Sequence, residues 1–179
     1  MEKKYTELLI GCGNSRKKKL TPIGAPHEWQ NLVTLDIDPD CNPDLVFDLQ
    51  VIESDIQRLP FADSSVDEIH AYEILEHFGY QGNWRGFFRL FAEFHRVLVP
   101  GGFICATCPS VDSRWAWGDP GHCRVIMPET LVFLSQQAYR EQIGKTNMTD
   151  YRHVWKGDFE VHYSNDNNGT HAFILTAIK

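Results

Sequence analysis

Nothing in the 179 residues forms an apolar run long enough to span a bilayer, so no membrane partner is expected. The opening MEKKYTELLIGCG has too short an apolar stretch for a signal peptide. Positive charge is scarce as well: 17 Lys and Arg against 24 Asp and Glu leave a net charge of −7. An acidic surface repels phosphate backbones, which disfavours nucleic acid as a partner. The one basic run, Arg16-Lys17-Lys18-Lys19, reads as a solvated loop. Cysteines number five, an odd count in a chain that is not cysteine-dense, so no disulfide framework is indicated. A reducing, cytoplasmic location follows as an expectation, and the sequons at Asn147 and Asn168 then carry no glycan. No internal repeat or low-complexity linker is present, so the whole of residues 1–179 is read as a single domain.

Hydrophobic residues make up 42% of the chain, enough for a packed core. Short strand-like runs lie at Leu8–Ile10, Leu32–Asp36, Leu45–Asp48, Val66–Tyr72 and Phe103–Thr107. Between the last two, apolar residues at Phe87, Phe88, Phe91, Phe94, Val97 and Leu98 make one face of a helix over 84–98, closed by Pro100-Gly101-Gly102. A second helix is expected over 128–139, opened by Pro128. The tail offers strands at 159–163 and 172–178 around the turn-forming Asn165–Gly169. Strands alternating with helices and then a terminal hairpin predict an α/β, Rossmann-like doubly wound sheet, mostly parallel, with an antiparallel strand at its edge. The first crossover, residues 14–31, holds Pro22, Gly24 and Pro26, and is expected to contain a short helix at best.

In such sheets ligands sit at the carboxyl ends of the strands. Gly11-Cys12-Gly13 follows the first strand directly, where bare backbone can approach a ligand. A dinucleotide pattern would place a third glycine at position 16, which is Arg16, so a pyrophosphate ligand is disfavoured. Asp36 ends the second strand, where a carboxylate can accept both hydroxyls of a ribose.

Two longer segments, Leu59–Phe78 (LPFADSSVDEIHAYEILEHF) and Glu93–Gly102 (EFHRVLVPGG), complete an ordered set with the glycine loop and Asp36. Together they resemble the class I S-adenosylmethionine-dependent methyltransferases, above all the small type 11 group related to quinone-biosynthesis methyltransferases. The resemblance covers roughly residues 6–110. It implies S-adenosylmethionine as cofactor. It assigns Gly11, Cys12, Gly13 and Asn14 to the amino-acid end of the cofactor, Asp36 to the ribose and Ile37 to the adenine face. Asp48, with Leu49, is preferred over Asp55 for the adenine amino group, and Tyr72 and Glu73 face the methionine end. Residues 111–155 are then a substrate-side insertion. No helix precedes strand one, a departure that leaves room for a partner subunit in a homo-oligomer to cover the site.

Methyl transfer needs alignment and exclusion of water, and a base only when the nucleophile must lose a proton. His77, Asp119 and His122 are the candidates, for a small-molecule acceptor. Trp115 and Trp117 read equally as an aromatic wall or as core anchors. Cys105, Cys108, His122 and Cys123 invite a zinc reading, but positions 105 and 108 of a strand face opposite ways, so no metal is expected. Two alternatives stay open: a nicotinamide-dependent oxidoreductase, and a binding module that keeps the cofactor pocket without the reaction.

Overall fold

The computed structural model describes residues 4–53 and 57–179, so the alternative residue Asp55 lies outside the described residues. Strands β1 (Glu7–Ile10), β2 (Leu32–Asp36), β3 (Leu45–Val46), β4 (Val66–Tyr72), β5 (Leu98–Pro109), β6 (Phe159–Asn167) and β7 (Thr170–Ala177) form one sheet, ordered β3-β2-β1-β4-β5-β7-β6. The first five pair in parallel, and β7 runs antiparallel to both β5 and β6. The expected fold class is therefore observed, with one difference. The antiparallel strand β7 is inserted between β5 and β6, and β6 is the edge.

Helix α2 (Trp84–Val97) follows β4. Asn83 caps it by accepting the Gly86 N–H, and Phe87, Phe88, Leu90, Phe91, Phe94 and Val97 are buried against the sheet. Each such side chain contributes about 1.5–3 kcal/mol by leaving water. The helix ends before Pro100: Leu98 is already extended, and Pro100-Gly101-Gly102 lie within β5. The single helix expected over 128–139 is two, α4 (Pro128–Val132) and α5 (Gln136–Gln142). The break arises because the Leu134 carbonyl turns outward to accept from the Trp155 indole and the Phe159 N–H. Ser135 then caps α5 at the Ala138 N–H. Strand β3 stops two residues early because Asp48 accepts the Gln50 N–H and turns the chain into α1 (Gln50–Glu53). The segment 111–155, with α3 (Arg114–Gly118), α4 and α5, shares the main core through Leu131, Leu134, Tyr139 and Trp155.

The other face of the sheet is covered differently. Residues 13–31 contain no helix and lie across β1 and β4 as a loop, with Leu20 and Trp29 packed on Leu9, Cys12 and Tyr72. This loop is fastened by charge. The Lys18 ammonium, expected in solvent, is only 5% exposed and bridges the buried carboxylates of Glu7 at 2.7 Å and Glu68 at 2.9 Å. Glu7 also accepts the Gln30 and Asn31 N–H groups, and Lys18 donates to the Pro26 carbonyl. Tyr72 accepts the Lys19 and Leu20 N–H groups, so its own proton goes to His70 Nδ1 at 2.6 Å. His70 Nε2–H in turn donates to Glu68 at 2.7 Å.

Removing the cation would leave two carboxylates buried without their counter-ion. Lys18→Met is expected to lower the unfolding free energy by about 3–5 kcal/mol, measured as a shifted urea midpoint. Burial, opposed by Glu68, holds His70 below the ordinary imidazole value of 6.5, and burial lowers half-buried His95 likewise. The unfolded rings take up protons that the folded ones resist, so stability present above that value is lost as the pH falls through it. Denaturant titrations at about pH 7.5 and about pH 5.5 should show a drop that His70→Gln reduces.

Candidate active site

At the carboxyl ends of β1, β2 and β4 lies a cavity of about 330 Å³. Its walls include Leu35, Ile37, Phe47, Leu49, Ile74 and Phe78, with Gly11, Asp36, Asp48 and His77 on its lining. The volume lies within the ordinary range for small-molecule sites, and an apolar wall with few polar groups is the usual composition.

The glycine loop is shaped by a neighbour as much as by any ligand. Gly11 has φ +61°, and a Cβ there would stand 2.6 Å from Ile74 Cγ1. Ile74 is thereby allowed to press against bare backbone and form one wall. Gly13 N–H donates to Asp36 Oδ2 at 2.8 Å, while Asp36 Oδ1 accepts the Asp38 N–H at 3.0 Å. Each carboxylate oxygen can accept two hydrogen bonds and here accepts one, so each keeps one free position, a pair suited to a vicinal diol. Arg16 stands where a third glycine would serve a dinucleotide. It donates to the carbonyls of Gly13, Cys41 and Asn42, tying the glycine loop to the β2–β3 connection. The nicotinamide alternative finds no support in that arrangement.

The expected cofactor residues divide into two sets. Gly11, Asp36, Ile37, Asp48 and Leu49 are brought together around the cavity. Cys12, Gly13, Asn14, Tyr72 and Glu73 are not on its lining, although Gly13 is bonded to Asp36 and Glu73 lines a neighbouring cavity. The Cys12 and Tyr72 side chains point to the loop-covered face: Tyr72 because it alternates with Ala71, which faces the main core, and Cys12 because the left-handed turn at Gly11 breaks the alternation that would have put it with Leu8 and Ile10. Burial raises the Cys12 thiol and Tyr72 hydroxyl above their ordinary values. Asn14 is exposed on the loop. The lining residues missed by sequence reading are Leu35, Phe47, Gln50, Ile74 and Phe78; all but Gln50 are apolar, and their types carry no signal of a ligand.

Beyond His77 a second cavity, also about 330 Å³, is lined by Glu73, Glu76, Ser113, Trp115, Asp119 and His122, among others, and His77 borders both. Glu73 has φ +54°, a conformation that costs about 1–3 kcal/mol and is concentrated at functional positions. His77 Nδ1 lies 3.0 Å from the Gly121 carbonyl and His122 Nδ1 lies 2.8 Å from the Trp115 carbonyl. A carbonyl only accepts, so both rings carry their proton on Nδ1 when neutral, and Nε2 keeps the lone pair. The two rings meet edge to face at 4.6 Å. Asp119 Oδ2 stands 3.7 Å from His122 Nε2, and its Oδ1 accepts the Gly121 N–H. Glu76 is 2% exposed, and burial pushes its carboxyl up to about 7. Trp115 and Trp117 are 65% and 68% exposed, which removes the core-anchor alternative. Cys105 and Cys108 are buried on opposite faces and share no cluster of metal-ligating atoms among the described residues.

A family model for a methyltransferase domain matches residues 8–106. No curated protein gives a significant match. Among solved structures, a SAM-dependent methyltransferase from Archaeoglobus fulgidus is similar at 16% identity and a TM-score of 0.55, over 96% of this chain and 86% of that one. The putative methyltransferase complexed with the Trm112 activator of Haloferax volcanii gives 15% and 0.58, over 100% and 85%. The N-methyltransferase NodS of Bradyrhizobium japonicum, crystallised with S-adenosyl-L-homocysteine, gives 13% and 0.55, over 98% and 79%. At these identities the likeness is one of fold.

The close approach of Ile74 distinguishes the two glycines. Gly13 also has positive φ, at +48°, but open space where a Cβ would stand. Gly13→Ala should cost about 1–2 kcal/mol, the left-handed backbone penalty alone. Gly11→Ala should cost about 1–3 kcal/mol more through overpacking, checked by denaturant unfolding of both variants.

Proposed function

The chain belongs to the class I S-adenosylmethionine-dependent methyltransferases of type 11, and on that footing we propose that it methylates a small molecule held in the second cavity. The observation that carries this reading is the Asp36 carboxylate, pinned by Gly13 and Asp38 yet with one accepting position free on each oxygen, at the rim of an apolar cavity. Asp36 would hold the ribose hydroxyls, and Asp48 the adenine amino group. Ile37 and Leu49 would pack on the adenine, and the main chain at Gly11 and Gly13 would hold the amino-acid end. The cofactor supplies an activated methyl on a sulfonium, which leaves as a thioether when an acceptor attacks in line.

The protein's share is placement. His77 borders both cavities, and its Nε2 lone pair can take a proton from an acceptor beside it. His122 has the same tautomer, and Asp119 is placed to stabilise its imidazolium. Trp115 offers a flat apolar surface at the cavity edge. Residues 111–155 act in this reading as the substrate-side segment, since they supply Trp115, Asp119 and His122. A net charge of −7 argues for a small-molecule acceptor over nucleic acid, and the five free cysteines argue for the cytoplasm. No helix is long and apolar enough to cross a membrane among the described residues.

Calorimetric titration tests the assignment. S-adenosylhomocysteine should bind and NAD should not. Asp36→Ala should weaken the former by about 1–3 kcal/mol, the scale for losing a partner of buried polar groups. Unchanged affinity in that variant would remove Asp36 from the ribose.

A further inference from the structure

We propose that Glu76, His77 and His122 form a binding site for a divalent first-row transition-metal cation beside the methyl-transfer position. One ligating atom of each residue lies within 4.8 Å of the other two. Glu76 is 2% exposed, and both its carboxylate oxygens are buried without a hydrogen-bond partner. Buried polar atoms are almost always paired, so an orphaned carboxylate pointing into a cavity calls for an explanation. Two imidazoles complete the cluster, and no Lys or Arg forms an ion pair with Glu76 among the described residues.

The histidines are arranged as ligating histidines are. Each has its Nδ1–H directed at a main-chain carbonyl, Gly121 for His77 and Trp115 for His122, which orients the ring and leaves Nε2 free to coordinate. Gly121 itself is tied back through its N–H to Asp119. That loop thus holds His77 from one side while carrying His122 on the other. Asp119 Oδ2, 3.7 Å from His122 Nε2, adds an oxygen on the more exposed side. One carboxylate and two imidazoles with positions left open suit Mn²⁺, Fe²⁺, Co²⁺ or Zn²⁺, whereas Mg²⁺ and Ca²⁺ prefer all-oxygen sets. All three residues line the second cavity, so the open positions are accessible to an acceptor molecule. Resting on the methyl-transfer reading, the acceptor would be one that offers an oxygen donor to the cation, and with the cation bound the two Nε2 lone pairs serve as ligands in place of taking a proton. This site differs from the zinc reading of Cys105, Cys108, His122 and Cys123, sharing with it only His122.

Co²⁺ is the probe. The full chain, stripped with chelator, should show visible d–d absorption that saturates at one Co²⁺ per chain, and calorimetry should return the same stoichiometry. Glu76→Gln and His122→Asn should each weaken binding roughly tenfold or more, while S-adenosylhomocysteine affinity is retained. His122 lies in a surface loop, so its variant carries the test if Glu76→Gln fails to fold. Absence of d–d bands in protein that binds S-adenosylhomocysteine, or bands unchanged in His122→Asn, overturns the proposal. Co²⁺ binding in protein that ignores S-adenosylhomocysteine would leave the cation site standing and sink the methyl-transfer reading instead.

Discussion

The architecture rests on one buried ion cluster. Lys18 lies between Glu7 of β1 and Glu68 of β4, and His70 and Tyr72 extend the network along β4. In a doubly wound sheet a crossover helix normally covers this face with an apolar stripe. Here a helix-free loop does the same task, and charge pairing fixes its path. Burying such groups adds little net stability, because desolvation offsets most of the attraction. What it adds is position: the unpaired alternatives are so costly that the loop has one acceptable course. Arg16, two residues before Lys18, is thereby set to hold the Gly13, Cys41 and Asn42 carbonyls.

The site follows from that placement. The glycine loop is gripped by Arg16 through its carbonyl and by Asp36 through its N–H, while Ile74 fills the space that a side chain at position 11 would need. The end of β4 is drawn into the same region by the left-handed turn at Glu73. One short segment, Glu73–Phe78, then serves both cavities: Ile74 and Phe78 wall the first, Glu73 and Glu76 the second, and His77 stands between them. A reaction that joins two molecules needs this kind of shared border, because proximity and orientation supply much of the rate.

The positions of the strands along the chain and the α2 face were legible in residue pattern. Leu32–Asp36 and Val66–Tyr72 stand where period and turn residues put them. The split between α4 and α5 was not, since it depends on the Leu134 carbonyl accepting a hydrogen bond from the Trp155 indole, a partner 21 positions away. Lys18 was misread for the same kind of reason: three consecutive lysines look alike until a fold supplies carboxylates to one of them. Glu76 carried no sequence signal of its isolation, because burial and the lack of a partner are properties of the packed chain.

The sequence by itself determined the alternation of strands and helices, the glycine turn after β1 and the carboxylate after β2, because these follow from local backbone preference and spacing. Only the tertiary structure decided which side chains at those positions face the cavity. Cys12 and Tyr72 turn to the loop-covered face while Asp36 and Asp48 line the cavity, and Glu76 and His77, on the 3-10 turn Leu75–His77, meet His122 on a separate loop. Side-chain direction is set by strand parity and by contacts between segments far apart in the chain, and neither the type of a residue nor its neighbours in sequence encodes those contacts.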